Sequence, residues 1–335
     1  MSDLLRARTI LAGCVTALAL AACGGGGSDS PAPATPPVGT TPPSQPVIPD
    51  PLTPAPPIAE TPSQPGAPTL TGNIAVDGRA WLNYRRAQVG LSTLTQSSVI
   101  DIAAQGHSDY QRINNIISHE QTPGRQGFTG ATLADRLAAA NYVLVRPAAY
   151  GEVISAANSS NGQYMAEELI TAIYHRFVIF EPVFREIGTG AATATNGRSY
   201  FTANFGATNG YGTGLARNQV AVWPFNTQTG VPRNFFSDTE SPDPVPDRNE
   251  VGYPISVHAN INVPVTVQTF TVRPRGGADL TTRLLSNAND THTGISSASI
   301  VPLAPLAANT TYDVSFSGTV DGTAVSRSWS FTTAR

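Results

Sequence analysis

The sequence predicts an α+β unit followed by an all-β sandwich, and three observations lead there. Apolar residues recur at spacings of three and four between Val76 and Ile173, the period of amphipathic helices. After Glu186 the period falls to two over a pair of segments joined by Thr195-Asn-Gly-Arg198, a hairpin-type turn. Past Gly214 the chain is all short alternating strands punctuated by turn residues. Helices leading into a small antiparallel sheet define one unit, and strands without helices define the next.

The chain opens on an address rather than on fold. Arg6 and Arg8 form a basic start, and the apolar run Thr9–Ala22 is too short to span a bilayer comfortably. The run ends in Leu20-Ala-Ala-Cys23, which resembles a bacterial lipobox. That resemblance implies a signal peptide over 1–22 and acylation of Cys23, with the membrane as partner through the lipid. Gly24 after the cysteine resembles the outer-membrane sorting pattern, so the expected location is the bacterial envelope as an outer-membrane lipoprotein. An ordinary signal peptide beside an incidental Cys23 is the alternative. The other cysteine, Cys14, leaves with the leader, so no disulfide staples the mature chain.

Residues 23–72 form a tether. Fifteen of the 28 prolines lie between Pro31 and Pro68, and such a segment neither pairs in a sheet nor holds a helix. At about 3.1 Å per residue it reaches on the order of 100 Å when stiff.

The first helix carries Val76, Ala80, Trp81 and Tyr84 on one stripe. The second carries Val99, Ile102, Ala103, Gly106, Tyr110, Ile113 and Ile117, with Ser97 and Ser98 as cap candidates. Leu133, Leu137 and Ala140 indicate a third helix, and Met165, Leu169, Ala172 and Ile173 a fourth that runs on towards Arg176. Strands follow at Glu186–Ala192 and Ser199–Gly206, closing a unit over 73–210. A second unit, 215–335, reads as a β-sandwich with Trp223 and Trp329 in its core. Its ending, Leu306-Ala-Ala-Asn-Thr-Thr-Tyr-Asp-Val and Ser328-Trp-Ser-Phe-Thr-Thr, resembles the last strands of bacterial immunoglobulin-like domains.

Charge excludes one class of partner. All 20 basic residues are Arg, against 23 acidic ones, and the net charge of −3 leaves no basic excess for nucleic acid. Single histidines near helix ends are ordinarily structural, because the helix dipole and free carbonyls favour them. His107-Ser108-Asp109 has the residue types of a hydrolytic triad, yet adjacent helical residues point apart and form no relay. The stretch 237–250 is rich in carboxylates, which suits Ca²⁺, but it reads first as a solvated loop.

Order along the chain adds more. Trp81-Leu-Asn-Tyr-Arg-Arg-Ala-Gln-Val-Gly-Leu, Gly106-His-Ser-Asp-Tyr110, Ile117-Ser-His119, Tyr150-Gly-Glu152, His175-Arg176 and Phe184-Arg-Glu-Ile-Gly-Thr-Gly190 succeed one another, followed by Tyr200-Phe-Thr-Ala-Asn-Phe-Gly206. The succession resembles the CAP superfamily (SCP-like; cysteine-rich secretory proteins, antigen 5, pathogenesis-related proteins) in its bacterial form, over residues 76–207. The resemblance implies an α-β-α sandwich with a groove lined by His119, Glu152 and His175. Val153 stands where the family signature has Asn, and Leu169 and Ala172 occupy the region of a further acidic residue. Glu168 is off that register.

Two imidazoles and a carboxylate suit a weakly bound divalent metal, zinc, through His119 and His175. The same carboxylate could instead hold one imidazole protonated and do no chemistry. Two functions follow as expectations: non-catalytic binding of an apolar or envelope ligand in the groove, or metal-assisted hydrolysis using His119, Glu152 and His175.

Overall fold

The computed structural model describes residues 64–335 and the two-residue strand β1 (Ala19–Leu20). Apart from Ala19–Leu20, the leader, with Cys23 and most of the proline-rich tether, therefore lies outside the described residues. In chain order the first unit contains α1 (Ile74–Gln88), β2 (Thr95–Gln96), α2 (Ser98–Asn114), α3 (Leu133–Ala139), β3 (Ala149–Ala157), α4 (Gly162–Thr171), α5 (Ile173–Ile179), β4 (Glu186–Thr193) and β5 (Ser199–Ala207). The second contains β6 (Ala221–Trp223), β7 (Gln228–Val231), β8 (Asn234–Phe236), a 3₁₀ turn at Ser237–Thr239, β9 (Glu250–Gly252), β10 (Ile255–His258), β11 (Val265–Pro274), β12 (Thr282–Ser286), β13 (Ser297–Pro302), β14 (Thr311–Val320) and β15 (Thr323–Thr333).

The helices start where short polar side chains cap free N–H groups. Asn73 accepts from the Val76 N–H, Asn161 from the Tyr164 N–H, and Thr132 with Asp135 forms a reciprocal capping box. Asn115, in the left-handed conformation at φ 51°, ends α2 earlier than the sequence reading placed it.

The sheet of the first unit has the order β1-β3-β5-β4-β2. β5 is its centre and pairs antiparallel with β3 and β4, with Glu152 opposite Asn204 and Gly188 on Asn204's other side. Helix α2 lies directly on this sheet because β4 presents glycines. A Cβ on Gly188 would come 2.3 Å from the Asp101 nitrogen, and one on Gly190 would come 2.3 Å from the Gln105 Cα. So close an approach rotates α2 away from the stripe read in the sequence. Its buried face is Ile100, Ala103, Ala104, His107, Ser108, Tyr110 and Gln111, while Ile102, Ile113 and Ile117 are exposed.

The second unit has two four-stranded sheets, β12-β13-β10-β6 and β11-β14-β15-β7, and a small β8-β9 ladder. Along β14 and β15 the buried and open positions alternate, as a sheet with one face on a core requires. Trp329 is buried beside Phe270, as expected. Trp223 is buried too, but against Phe180 of the first unit.

That contact belongs to a broad joint. Phe180 and Phe177 both meet His258 edge-on, and the Arg85 guanidinium lies over the Trp223 ring at 5.2 Å. Arg176, fully buried, donates within its own unit to the Ile170 and Thr171 carbonyls and across the joint to the Pro254 carbonyl at 2.7 Å. Residues of both units therefore share one hydrophobic cluster.

Candidate functional site

Glu152 comes from the middle of β3 and is 2% exposed. Burial alone would push its carboxyl pKa up, yet it is held down at about 2 by the Arg136 guanidinium and by His107 and His119. Arg136, from α3, donates from Nη2 to both carboxylate oxygens at 2.8 Å and from Nη1 to the His119 carbonyl at 2.9 Å. His119, on the loop after α2, places Nδ1 3.0 Å from Glu152 Oε1. The residues form a buried ion pair with an imidazole at its rim.

His107 completes the cluster from the buried face of α2, with Nε2 3.9 Å from Glu152 Oε1. The Ser118 carbonyl lies 2.8 Å from the same nitrogen, and a carbonyl only accepts, so Nε2 carries the proton. The Gln121 side chain donates to Nδ1 at 2.9 Å. Gln121 is itself held by the Thr129 N–H, which donates to its Oε1. Burial lowers the His107 pKa to about 4 against the pull of Glu152, so the ring is neutral with both nitrogens engaged.

His175 lies elsewhere in the hydrogen-bond network. The fourth helix of the sequence reading is broken at Ala172, whose ψ of 122° is extended, and His175 sits in the first turn of the new helix α5. Its Nδ1 is 3.0 Å from Oε1 of Glu240. Glu240 is buried and also accepts the Ile173, Tyr174 and His175 backbone N–H groups, capping α5 from the second unit. The stretch read as a solvated loop thus contributes a buried structural carboxylate.

The three expected groove residues take different hydrogen-bond partners. Glu152 takes both Arg136 and His119, while His175 bonds a different carboxylate, Glu240. Among the described residues no group of three His, Cys, Asp or Glu side chains is placed to hold a metal. Sequence reasoning found His119, Glu152 and His175 but missed Arg136, His107, Gln121 and Glu240. A weak signal existed for His107, which stands in the Gly106-His-Ser-Asp-Tyr110 motif; nothing in the spacing pointed to Arg136 or Glu240.

Residues 80–205 match the family model described as CAP, the cysteine-rich secretory protein family, and the chain carries a domain of that family. Among solved structures, an extracellular protein containing an SCP domain from Bacillus anthracis str. Ames is 26% identical, with a TM-score of 0.33, over 39% of this chain and 39% of that one. The match thus spans well under half of that protein. An outer surface protein from Borrelia burgdorferi is 14% identical, also with a TM-score of 0.33, over 39% of this chain and 90% of its own. No curated protein matches the chain.

Proposed function

We propose that this chain is an envelope lipoprotein whose CAP domain binds an apolar or cell-envelope ligand without catalysing a reaction. One observation carries the reading: the carboxylate at the centre of the cluster, Glu152, and the imidazole beside it, His107, are committed inside the protein. Glu152 is neutralised by Arg136, His107 is a neutral ring with both nitrogens used, and His175 is bonded to Glu240. A buried carboxylate held by a guanidinium is a poor base and a poor metal ligand, and a neutral ring with both nitrogens bonded has no lone pair left for either task. The leader pattern supports the location, through the signal peptide over 1–22, the lipid on Cys23 and the tether to residue 72. The immunoglobulin-like reading of 215–335 is supported by two four-stranded sheets, antiparallel except for the parallel β15–β7 pair.

The test is extraction of the mature protein, purified from its own membranes without added metal, followed by mass spectrometry of what it carries. We expect a co-purifying lipid or glycolipid and no stoichiometric metal. Stoichiometric zinc together with peptide or ester hydrolysis would overturn the reading in favour of the metal-assisted hydrolase.

A further inference from the structure

After α3 the chain runs through Asn141–Pro147 beside the segment 208–212 that leaves β5. The two are laced by backbone groups and one hydroxyl. Thr208 Oγ1 donates to the Val143 carbonyl at 2.7 Å, the Asn209 N–H to the Val145 carbonyl at 2.7 Å, and the Gly210 N–H to the Pro147 carbonyl at 2.9 Å. Side chains alternate as in a strand: Tyr142 is buried, Val143 is out, Leu144 packs inward and Val145 is out.

On a half-solvated strand the outward positions are ordinarily polar. Here they are Val143, 67% exposed, and Val145, 48% exposed, and Tyr211 on the adjoining segment is 39% exposed. Arg146 and Arg185 flank them, both exposed at the surface. Arg185 is tied to this face through the Thr208 carbonyl. Glu186, next in the chain to Arg185, is half-buried and takes the Tyr142 hydroxyl at 2.7 Å.

We infer that this face seats on an anionic phospholipid bilayer. Apolar side chains flanked by two arginines, with a tyrosine at the edge, match the boundary between head groups and acyl chains. Chain length points to the same occupant. Residues outside the structure run back to Cys23, the acylation site of the lipoprotein reading on which this inference rests, so the bilayer is always within the tether's reach. Three side chains are far too few for a second copy of the chain, since a stable interface buries about 800 Å² on each partner.

The experiment uses residues 24–335, without leader or acyl group, and vesicles of phosphatidylethanolamine with or without phosphatidylglycerol. We expect sedimentation with the phosphatidylglycerol vesicles, weakening as salt rises because the arginine attraction is screened. Val143→Ser with Val145→Ser should weaken binding about tenfold through lost apolar burial, and Arg185→Gln should lower the salt dependence. Thermal melting of both variants should match the parent, because these side chains are outside the core. Absence of vesicle binding, binding indifferent to these substitutions, or a dimer that the double substitution dissolves would each overturn the inference. No acyl chain is present in this protein, so a negative result leaves the lipoprotein reading standing. That reading is decided separately by the intact mass of the mature N-terminus.

Discussion

Arg136 shows how the environment assigns roles to side chains here. Its guanidinium and Glu152 are both buried, and removing one partner leaves the other charge uncompensated in the interior. Arg136→Leu is therefore expected to cost about 3–5 kcal/mol, read by chemical denaturation, whereas Arg136→Leu with Glu152→Leu should recover much of the loss. A double variant no better than the single one would contradict the pairing. Acid should act on the same cluster. With His107 at about 4, below its ordinary value, the unfolded chain takes up a proton before the folded one does as pH falls through the sixes. Glu152, held at about 2, adds a second loss below the ordinary carboxylate range. These two groups alone would make stability decline from about pH 6.5 towards pH 2. His107→Gln should flatten the upper part of that decline.

Glu181 works in the other direction. Burial raises it to about 7 despite N–H donors from Val183 and Ile261 and the nearby Arg86. A raised acid stabilises the fold fully below its unfolded pKa and loses that contribution as pH climbs to its folded value. The joint between the units should therefore weaken between about pH 4.5 and 7, on the order of 3 kcal/mol in all. Glu181→Gln should remove this slope and leave the acid decline in place; an unchanged slope would show that Glu181 does not set it.

At the scale of elements, the existence of α1 to α4, β4 and β5 was legible because helical and strand periods are local properties. The face that α2 buries was not. Gly188 and Gly190 draw its backbone onto the sheet, and this tertiary contact turns His107, Ser108 and Gln111 inward in place of Ile113 and Ile117. β3 was missed as a strand although its Glu152 was found, since Ala149–Ala157 is buried at most positions and shows little alternation. The break between α4 and α5 depends on Glu240, far along the chain, and no local signal announces it. Gly190→Ala is expected to destabilise strongly, because the new methyl meets the α2 backbone rather than a movable side chain. The expected loss is about 2 kcal/mol or more, and a variant as stable as the parent would show that α2 can shift outward without penalty.

For the whole molecule, the two units read from the sequence are joined rather than strung together. Phe177, Phe180 and Arg176 face Trp223, His258 and the Pro254 carbonyl, so separation would expose aromatic surface and strand a buried guanidinium. Residues 64–210 alone should therefore be markedly less stable than the full ectodomain, against the independent folding that the boundary near residue 210 suggests. The ectodomain should melt in one calorimetric transition, and two separable transitions would show the joint to be superficial.

The commitment of the CAP histidines to internal partners is tested most directly by calorimetric titration of Zn²⁺ into metal-free ectodomain, alongside the His119→Ala, His175→Ala double variant. Glu152 is held by Arg136 and His175 by Glu240, so we expect no saturable site that depends on these histidines, and indistinguishable titrations for the two proteins. A one-to-one site present in the parent and lost in a still-folded double variant would contradict it.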